Sequence, residues 1–209
     1  MEIEQKFLVP HNFEIPENWK AVDFSQQLNH YFDSSPVSIR TRYDSSTGFE
    51  IVNKWTDDGK DSHNGTQRHE LNLRVTPTLN FNEMEVVEVT EGLSLESAKY
   101  VLENHVDKIL LNTGLNYLSK WSRIRKTYRY ENFIISEEVN AGYGKIIEIE
   151  SANNSKVNIF TILEYGKSLG LKVLESDLLN KMFKFYNEHW EEYYMTDKVI
   201  FNDERFNFE

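Results

Sequence analysis

Charged and apolar residues alternate along much of the first two-thirds of the chain. This period of two predicts β-strands, because successive strand side chains point to opposite faces. The segments with strand character are 2–9, two short runs within 30–43, 48–55, 67–75, 83–89, 121–130, 132–139 and 143–151. Residues 56–66 are polar and are predicted to form a loop.

Three other segments follow the helical period. They cover residues 94–114, 159–170 and 178–186, and the first two end near a glycine, a residue typical of helix C-termini. Many antiparallel strands, with most of the helices placed late in the chain, predict an α+β protein. Its core is expected to be a barrel or a strongly curled sheet.

The charged residues of the predicted strands separate by sign. Carboxylates dominate some strands and cations dominate others: Glu2, Glu4, Glu148 and Glu150 against Arg40, Arg42, Lys54, Arg123 and Arg125. In one interpretation the charges face water and the apolar residues between them form a core, as is usual for antiparallel sheets. In the other, the charges line the polar interior of a barrel and the apolar residues face outward under covering helices. The separation by sign favours the second, because carboxylates bind hard divalent cations while arginine and lysine bind phosphate.

The composition excludes several kinds of ligand and metal site. The net charge of −11 argues against a general surface for nucleic acids or anionic membranes. The chain has no cysteine, so a metal site must use carboxylates or histidines, and carboxylates favour Mg²⁺, Mn²⁺ or Ca²⁺. No apolar run approaches the length of a membrane span, and the N-terminus does not resemble a signal peptide. We therefore expect a soluble cytoplasmic protein.

The N-terminal segment Glu2-Ile-Glu4-Gln-Lys6 resembles the E-x-E-x-K signature of the CYTH proteins, also called triphosphate tunnel metalloenzymes. Later motifs follow in the family's order: Tyr31-Phe32-Asp33, Arg40-Thr41-Arg42, Lys54, Arg68-His69-Glu70, Arg123-Ile124-Arg125 with Tyr128, Gly144, and Glu148-Ile149-Glu150. Together they span residues 2–150. Helices follow them, as they do in the family.

Two positions depart from the family pattern. The R-x-E-x-E strand ends here at Asn72, which brings no charge. Where the family often has an aspartate, the chain has Glu137 and Glu138. Counting back from Glu148 favours Glu138 as the inward residue, whereas a one-residue difference in the turn would select Glu137.

The resemblance implies a closed eight-stranded antiparallel β-barrel that forms a tunnel, with flanking and C-terminal helices. A single domain would occupy residues 1–209, with the barrel at about 1–151 and the C-terminal helices at about 155–192. The implied ligands of Mg²⁺ or Mn²⁺ are Glu2, Glu4, Glu70, Glu138, Glu148 and Glu150. The implied triphosphate ligands are Lys6, Arg40, Arg42, Lys54, Arg68, Arg123 and Arg125. The catalytic set would be Glu2, Glu4, Lys6, Glu148 and Glu150.

The activity implied by the resemblance is metal-dependent hydrolysis of a small-molecule triphosphate. Inorganic tripolyphosphate, thiamine triphosphate and nucleoside triphosphates present the same charged chain, and an RNA 5′-triphosphate stays among the candidates. Two alternatives use the same scaffold: a class IV-type adenylate cyclase that makes cyclic AMP from ATP, and a non-catalytic binder of polyphosphate or nucleotides. The protein would act as a monomer or a homodimer.

Overall fold

Most of the predicted strands are present in the structure, which is a computed structural model. It describes residues 2–35, 37–55, 67–80, 86–88, 91–139, 142–152 and 157–200. The strands are β1 (Glu2–Leu8), β2 (Lys20–Phe32), β3 (Ser38–Asp44), β4 (Gly48–Trp55), β5 (Gln67–Val75), β6 (Thr78–Asn80), β7 (Val86–Glu88), β8 (Tyr117–Tyr130), β9 (Phe133–Val139), β10 (Ile146–Ser151) and β11 (Lys172–Val173). Helix α1 (Leu95–Val101) continues through a π-helical turn (Leu102–Val106) into α2 (Asp107–Leu111), and α3 (Ile159–Ser168) and α4 (Ser176–Tyr193) follow the barrel strands. None of these helices is long and apolar enough to cross a membrane.

Eight of the strands pair in a closed ring. The antiparallel order is β1-β10-β9-β8-β2-β3-β4-β5, and the ring closes because β1 pairs with β5 as well as with β10. On β1, Glu4 lies opposite Glu150 of β10, and Glu2 lies opposite Arg68 of β5. A sheet closed in this way has no free edge and encloses an interior. The predicted α+β fold with an eight-stranded barrel is therefore confirmed.

Two predicted strands differ from those observed. Within the run 83–89 the structure describes Val86–Glu88, which pairs with β6 in a separate two-stranded sheet and is not a barrel strand. Strand β2 begins at Lys20, well before the predicted run 30–43, and pairs along its length with β8. In its first half the apolar residues Val22 and Phe24 are exposed and provide no buried face, so pairing with β8 decides its conformation. The predicted loop 56–66 lies outside the described residues.

Helices cover part of the outer face of the barrel. Phe7 of β1 and Ile147 and Ile149 of β10 pack against α3. Leu28 of β2 and Tyr43 of β3 pack against α1 and the π-helical turn. The expectation that outward apolar residues lie under helices is wrong for β5. Its outward residues Leu71 and Leu73 are each 60% exposed, since the described helices lie over other strands.

Helix α4 closes one end of the barrel. Leu8, Ile146 and Trp121 each lie two residues from an inward-facing charged residue and therefore also face inward. They pack in one apolar cluster with Leu179, Met182 and Tyr186 of α4. The hydroxyl of Tyr186 donates a hydrogen bond to the carbonyl oxygen of Lys120 (2.7 Å), which fixes the helix to β8. The interior is consequently apolar at this end and charged beyond it.

A buried polar network joins α2 to the outer face of β2 and β3. The carboxylate of Asp107 is fully buried and accepts hydrogen bonds from the hydroxyls of Thr41 and Tyr117. It also lies 2.7 Å from Nδ1 of His30, whose Nε2 lies 2.7 Å from the hydroxyl of Tyr194. Thr41 separates the two arginines of β3, so the network holds the strand segment that carries them.

The contact between α3 and β1 depends on a glycine. A Cβ atom at Gly166 would overlap the ring of Phe7, whose side chain is fully buried. We expect Gly166→Ala to lower the free energy of unfolding by about 1–3 kcal/mol, because the ring has to shift within a packed core. Urea denaturation measures the loss. Ser168→Ala, at an exposed site on the same helix, is the control, and equal stability of the two variants would contradict the close contact.

Candidate functional site

The barrel interior carries the charged residues that alternate with apolar residues in the sequence. On β1, Glu4 and Lys6 share the inward face, and their side chains are buried. On β3 the same holds for Arg40 and Arg42, because Thr41 between them faces outward toward Asp107. The charges therefore line the interior, and the interpretation in which they face water does not apply to these strands.

Three carboxylates come together where β1 pairs with β10. Oxygen atoms of Glu4, Glu148 and Glu150 all lie within 4.8 Å of one another. The grouping follows from the register, since Glu4 lies directly opposite Glu150 and Glu148 occupies the same face two residues away. A set of carboxylate oxygens is the ligand chemistry that hard divalent cations prefer, so the group could hold a metal ion. Glu2 also belongs to β1, but its side chain lies outside the described part of the structure.

Cations lie directly beside this carboxylate group. The ammonium of Lys6 bonds to Glu148 and lies 3.5 Å from Glu4. The guanidinium of Arg125 donates to Glu148 over 3.0 Å and also to the hydroxyl of Ser136. Like charges held this close repel one another, at about 4 kcal/mol for a pair 4 Å apart near a protein surface. Lys6 and Arg125 offset that repulsion.

A second group, the arginine group, lies farther around the ring on two strands. It consists of Arg40 and Arg42 on β3 and Arg123 and Arg125 on β8. Burial and the nearby charges of Arg40 and Arg123 lower the pKa of Arg42 to about 9. Its Nε donates to the amide oxygen of Asn29 over 2.9 Å, and Arg123 donates in the same way to Gln27 over 2.6 Å. These neutral partners orient the guanidiniums without adding charge. Arg123 also bonds to Glu138, and Glu50 lies 3.8 Å from Arg42. Positive charge still dominates around Arg42, where Arg40 and Arg123 help to lower its pKa, so the group has the electrostatic character of an anion site.

One N–H group of the arginine group lacks a hydrogen-bond acceptor among the described residues. The Nε–H of Arg40 is buried and has no hydrogen-bond partner among the described residues, although Nη1 donates to the hydroxyl of Tyr31 over 2.8 Å. A buried donor without an acceptor is costly, at about 1–3 kcal/mol and more for a charged group. An anionic oxygen bound beside Arg40 would remove this cost.

Two of the predicted metal ligands contact cations and lie outside the three-carboxylate group. Glu70 bonds to Lys54. Burial would raise the pKa of Glu70, but Lys54 and Arg40 lower it to about 2. Glu138 is fully buried and bonds to Arg123. Burial would raise the pKa of Glu138 as well, yet Arg123 and Arg125 hold it at about 2.

The register also decides between the two adjacent glutamates of β9. Glu138 lies inside with the arginines, whereas Glu137 faces outward and forms an ion pair with Lys145 over 2.6 Å. The inward position is the one favoured by counting back from Glu148. Arg68 takes its place on β5 opposite Glu2, but its side chain lies outside the described part.

The sequence pattern did not identify several residues that lie in the barrel interior. Gln27 and Asn29 precede the segment recognised as a strand, and their uncharged side chains gave no alternating charge to follow. Glu50 lies 3.8 Å from Arg42 and shares the face of Lys54, so the period of two on β4 identifies it in retrospect. Asp44 continues the inward face of β3 and accepts a hydrogen bond from Gln27. His69, between Arg68 and Glu70, faces outward and stacks on Trp55.

Comparisons with known proteins agree with the geometry. The model of the CYTH domain family matches residues 1–181. Among solved structures, the PH1012 protein of Pyrococcus horikoshii OT3 superposes with a TM-score of 0.55 at 19% identity, covering 82% of this chain and 92% of that one. The PH1819 protein of the same organism gives a TM-score of 0.53 at 18% identity, covering 87% and 99%. At these identities the likeness concerns the fold. No curated protein matches the chain in sequence.

Proposed function

Because the chain belongs to the CYTH family, we propose that it is a metal-dependent triphosphatase that cleaves a small-molecule triphosphate inside the barrel. The observation that carries the proposal is the contact of Arg125 with Glu148 over 3.0 Å. It joins the arginine group to the carboxylate group, so a polyphosphate held by the first would meet a cation held by the second. Binding residues of both signs at adjoining positions are what a metal–triphosphate complex requires.

The carboxylate group would hold the metal. Glu4, Glu148 and Glu150 supply hard oxygen ligands, which fit Mg²⁺ or Mn²⁺. A bound ion of this kind neutralises phosphate charge and lowers the pKa of a coordinated water. Lys6 neutralises Glu148 in the structure, and in the complex its ammonium would bind a phosphate oxygen instead, as the metal takes over the charge of Glu148.

The arginine group would hold the phosphate chain. Arg42 and Arg123 are already oriented by Asn29 and Gln27, so no side-chain ordering is needed when the anion binds. Their charges would stabilise the charge that develops on the phosphoryl oxygens while a water attacks in line. The products are orthophosphate and the corresponding diphosphate. The chain itself need not supply a nucleophile.

The test is product analysis with a panel of substrates. The purified chain is incubated with tripolyphosphate, thiamine triphosphate, ATP or GTP, with Mg²⁺ or Mn²⁺ or with EDTA. We expect orthophosphate release from at least one substrate with metal and a fall to the uncatalysed background with EDTA, because the carboxylates act through the ion. The relative rates identify the substrate. Formation of cyclic AMP and pyrophosphate from ATP would replace the hydrolase with a cyclase, and metal-dependent binding without turnover would identify a sensor.

A further inference from the structure

Tyr31 lies inside the barrel at the end that α4 closes. It is the strand partner of Arg40, and its ring packs edge-on against Trp121 with 6.3 Å between centroids. Trp121 in turn contacts Tyr186 of α4. The phenol ring is therefore held against the apolar end of the interior, while its hydroxyl points to the arginines.

The hydroxyl of Tyr31 has a proton without an acceptor. Its oxygen accepts a hydrogen bond from Nη1 of Arg40 over 2.8 Å, and among the described residues no group accepts from it. The Nε–H of the same arginine also lacks an acceptor. Two donors on contacting side chains thus lack an acceptor within one buried charged site. Oxygens of a bound polyphosphate are the acceptors that these two donors need.

The surrounding charge favours an anion at this point. Burial alone would raise the pKa of Tyr31, but Arg40, Arg123 and Arg42 together lower it below its usual range. A phenol polarised by three guanidiniums is a strong hydrogen-bond donor. In the sequence, Tyr31 belongs to the motif Tyr31-Phe32-Asp33, for which the family resemblance implies no ligand.

We propose that Tyr31 is a direct substrate ligand, whose hydroxyl donates to the terminal phosphate of the triphosphate beside Arg40. The terminal phosphate of the substrate then lies at the closed end of the barrel. Any organic group on the substrate extends toward the opposite end. The inference rests on the proposed function, since it assigns one further contact in the same site. Tyr31 takes no part in holding the metal.

The experiment compares two tyrosine-to-phenylalanine variants by calorimetric titration with tripolyphosphate in EDTA. Tyr31→Phe keeps the ring and removes only the hydroxyl, and we expect it to weaken binding about tenfold or more, the usual loss for a hydrogen bond to a charged group. Tyr43→Phe is the control: its hydroxyl bonds to the backbone of Leu93 on the outer face, and its affinity should match that of the wild type. Equal affinity of Tyr31→Phe and the wild type would overturn the inference.

A double-mutant cycle separates direct contact from support of Arg40. If the hydroxyl binds phosphate itself, Tyr31→Phe weakens binding further in an Arg40→Ala background. If it only orients Arg40, the second change has no effect there, which would contradict the proposed contact. Wild-type protein that binds none of tripolyphosphate, thiamine triphosphate, ATP and GTP, with or without metal, would overturn the proposed function itself. Wild-type binding with an unaffected Tyr31→Phe variant would remove the tyrosine contact alone.

Discussion

Replacing Glu148 by glutamine is expected to lower metal-dependent turnover about a hundredfold or more while the barrel stays folded. Glu148 lies at the junction of the two groups, since it belongs to the three-carboxylate cluster and also contacts Lys6 and Arg125. Glutamine has the same shape but no charge, so the variant loses attraction for a divalent ion and keeps its packing. Steady-state rates at several Mn²⁺ concentrations, together with the Mn²⁺ affinity, measure both effects.

The control for this variant is Glu137→Gln. Glu137 is equally buried but faces the outside of the barrel, where it pairs with Lys126 and Lys145. We expect this variant to keep wild-type rates and wild-type Mn²⁺ affinity. Wild-type turnover by Glu148→Gln at low Mn²⁺ would show that the cluster holds no catalytic ion. Equal losses in both variants would indicate a general structural effect.

Removing the carboxylate of Glu138 is expected to give the largest loss of stability, about 3–5 kcal/mol, because it leaves buried cations without their partner. Glu138 is fully buried, bonds to Arg123 and lies 3.9 Å from Arg125. Urea denaturation of Glu138→Ala measures the loss, with Glu137→Ala as the outer-face control. The two lysines at Glu137 are about half exposed, so water can solvate them and a much smaller loss is expected.

The pH dependence of stability checks the same contact. The pKa of Glu138 falls from an ordinary value of 4.5 to about 2 in the folded protein. The folded state therefore binds fewer protons than the unfolded state between these values. The stabilisation is present above about pH 4.5 and is lost as the pH falls toward 2. We expect Glu138→Ala to show a shallower loss across this window, and an acid profile parallel to that of the wild type would contradict the assigned ion pairs.

Tripolyphosphate should restore part of the stability lost in Glu138→Ala. A polyanion held by Arg123 and Arg125 replaces the missing negative charge, and any ligand that binds only the folded state stabilises it by mass action. The increase in melting temperature on adding the ligand should therefore remain in the variant. Thermal denaturation of both proteins with and without tripolyphosphate, in EDTA, measures this.

Much of the fold and part of the site follow from short-range patterns in the sequence. The period of two at Glu4 and Lys6, and again at Glu148 and Glu150, places each pair on one face of a strand whatever the strand contacts. The order of the motifs predicted the family, which the match over residues 1–181 confirms. The roles assigned to these residues in metal binding and catalysis stay predictions that the proposed experiments test.

Other features depend on register, which short-range patterns leave open. A one-residue change in the turn before β10 would exchange Glu137 and Glu138 between the two faces, so strand pairing alone decides which glutamate meets the arginines. Polar residues such as Gln27 and Asn29 carry no alternating charge, and pairing with β3 and β8 identifies their strand. Glu70 shares the inward face as predicted, yet the cross-strand position of Lys54 determines its partner.

The sequence by itself determined which charged residues lie on one strand face, since side-chain alternation is a local property of extended backbone. It did not determine whether that face is inside, because a charged exterior and a charged interior have the same period. The closure of β1 against β5 and β10 and the packing of α3 and α4 on the barrel decided it. Ring closure creates the interior, and apolar contacts made between distant segments determine which faces the helices cover.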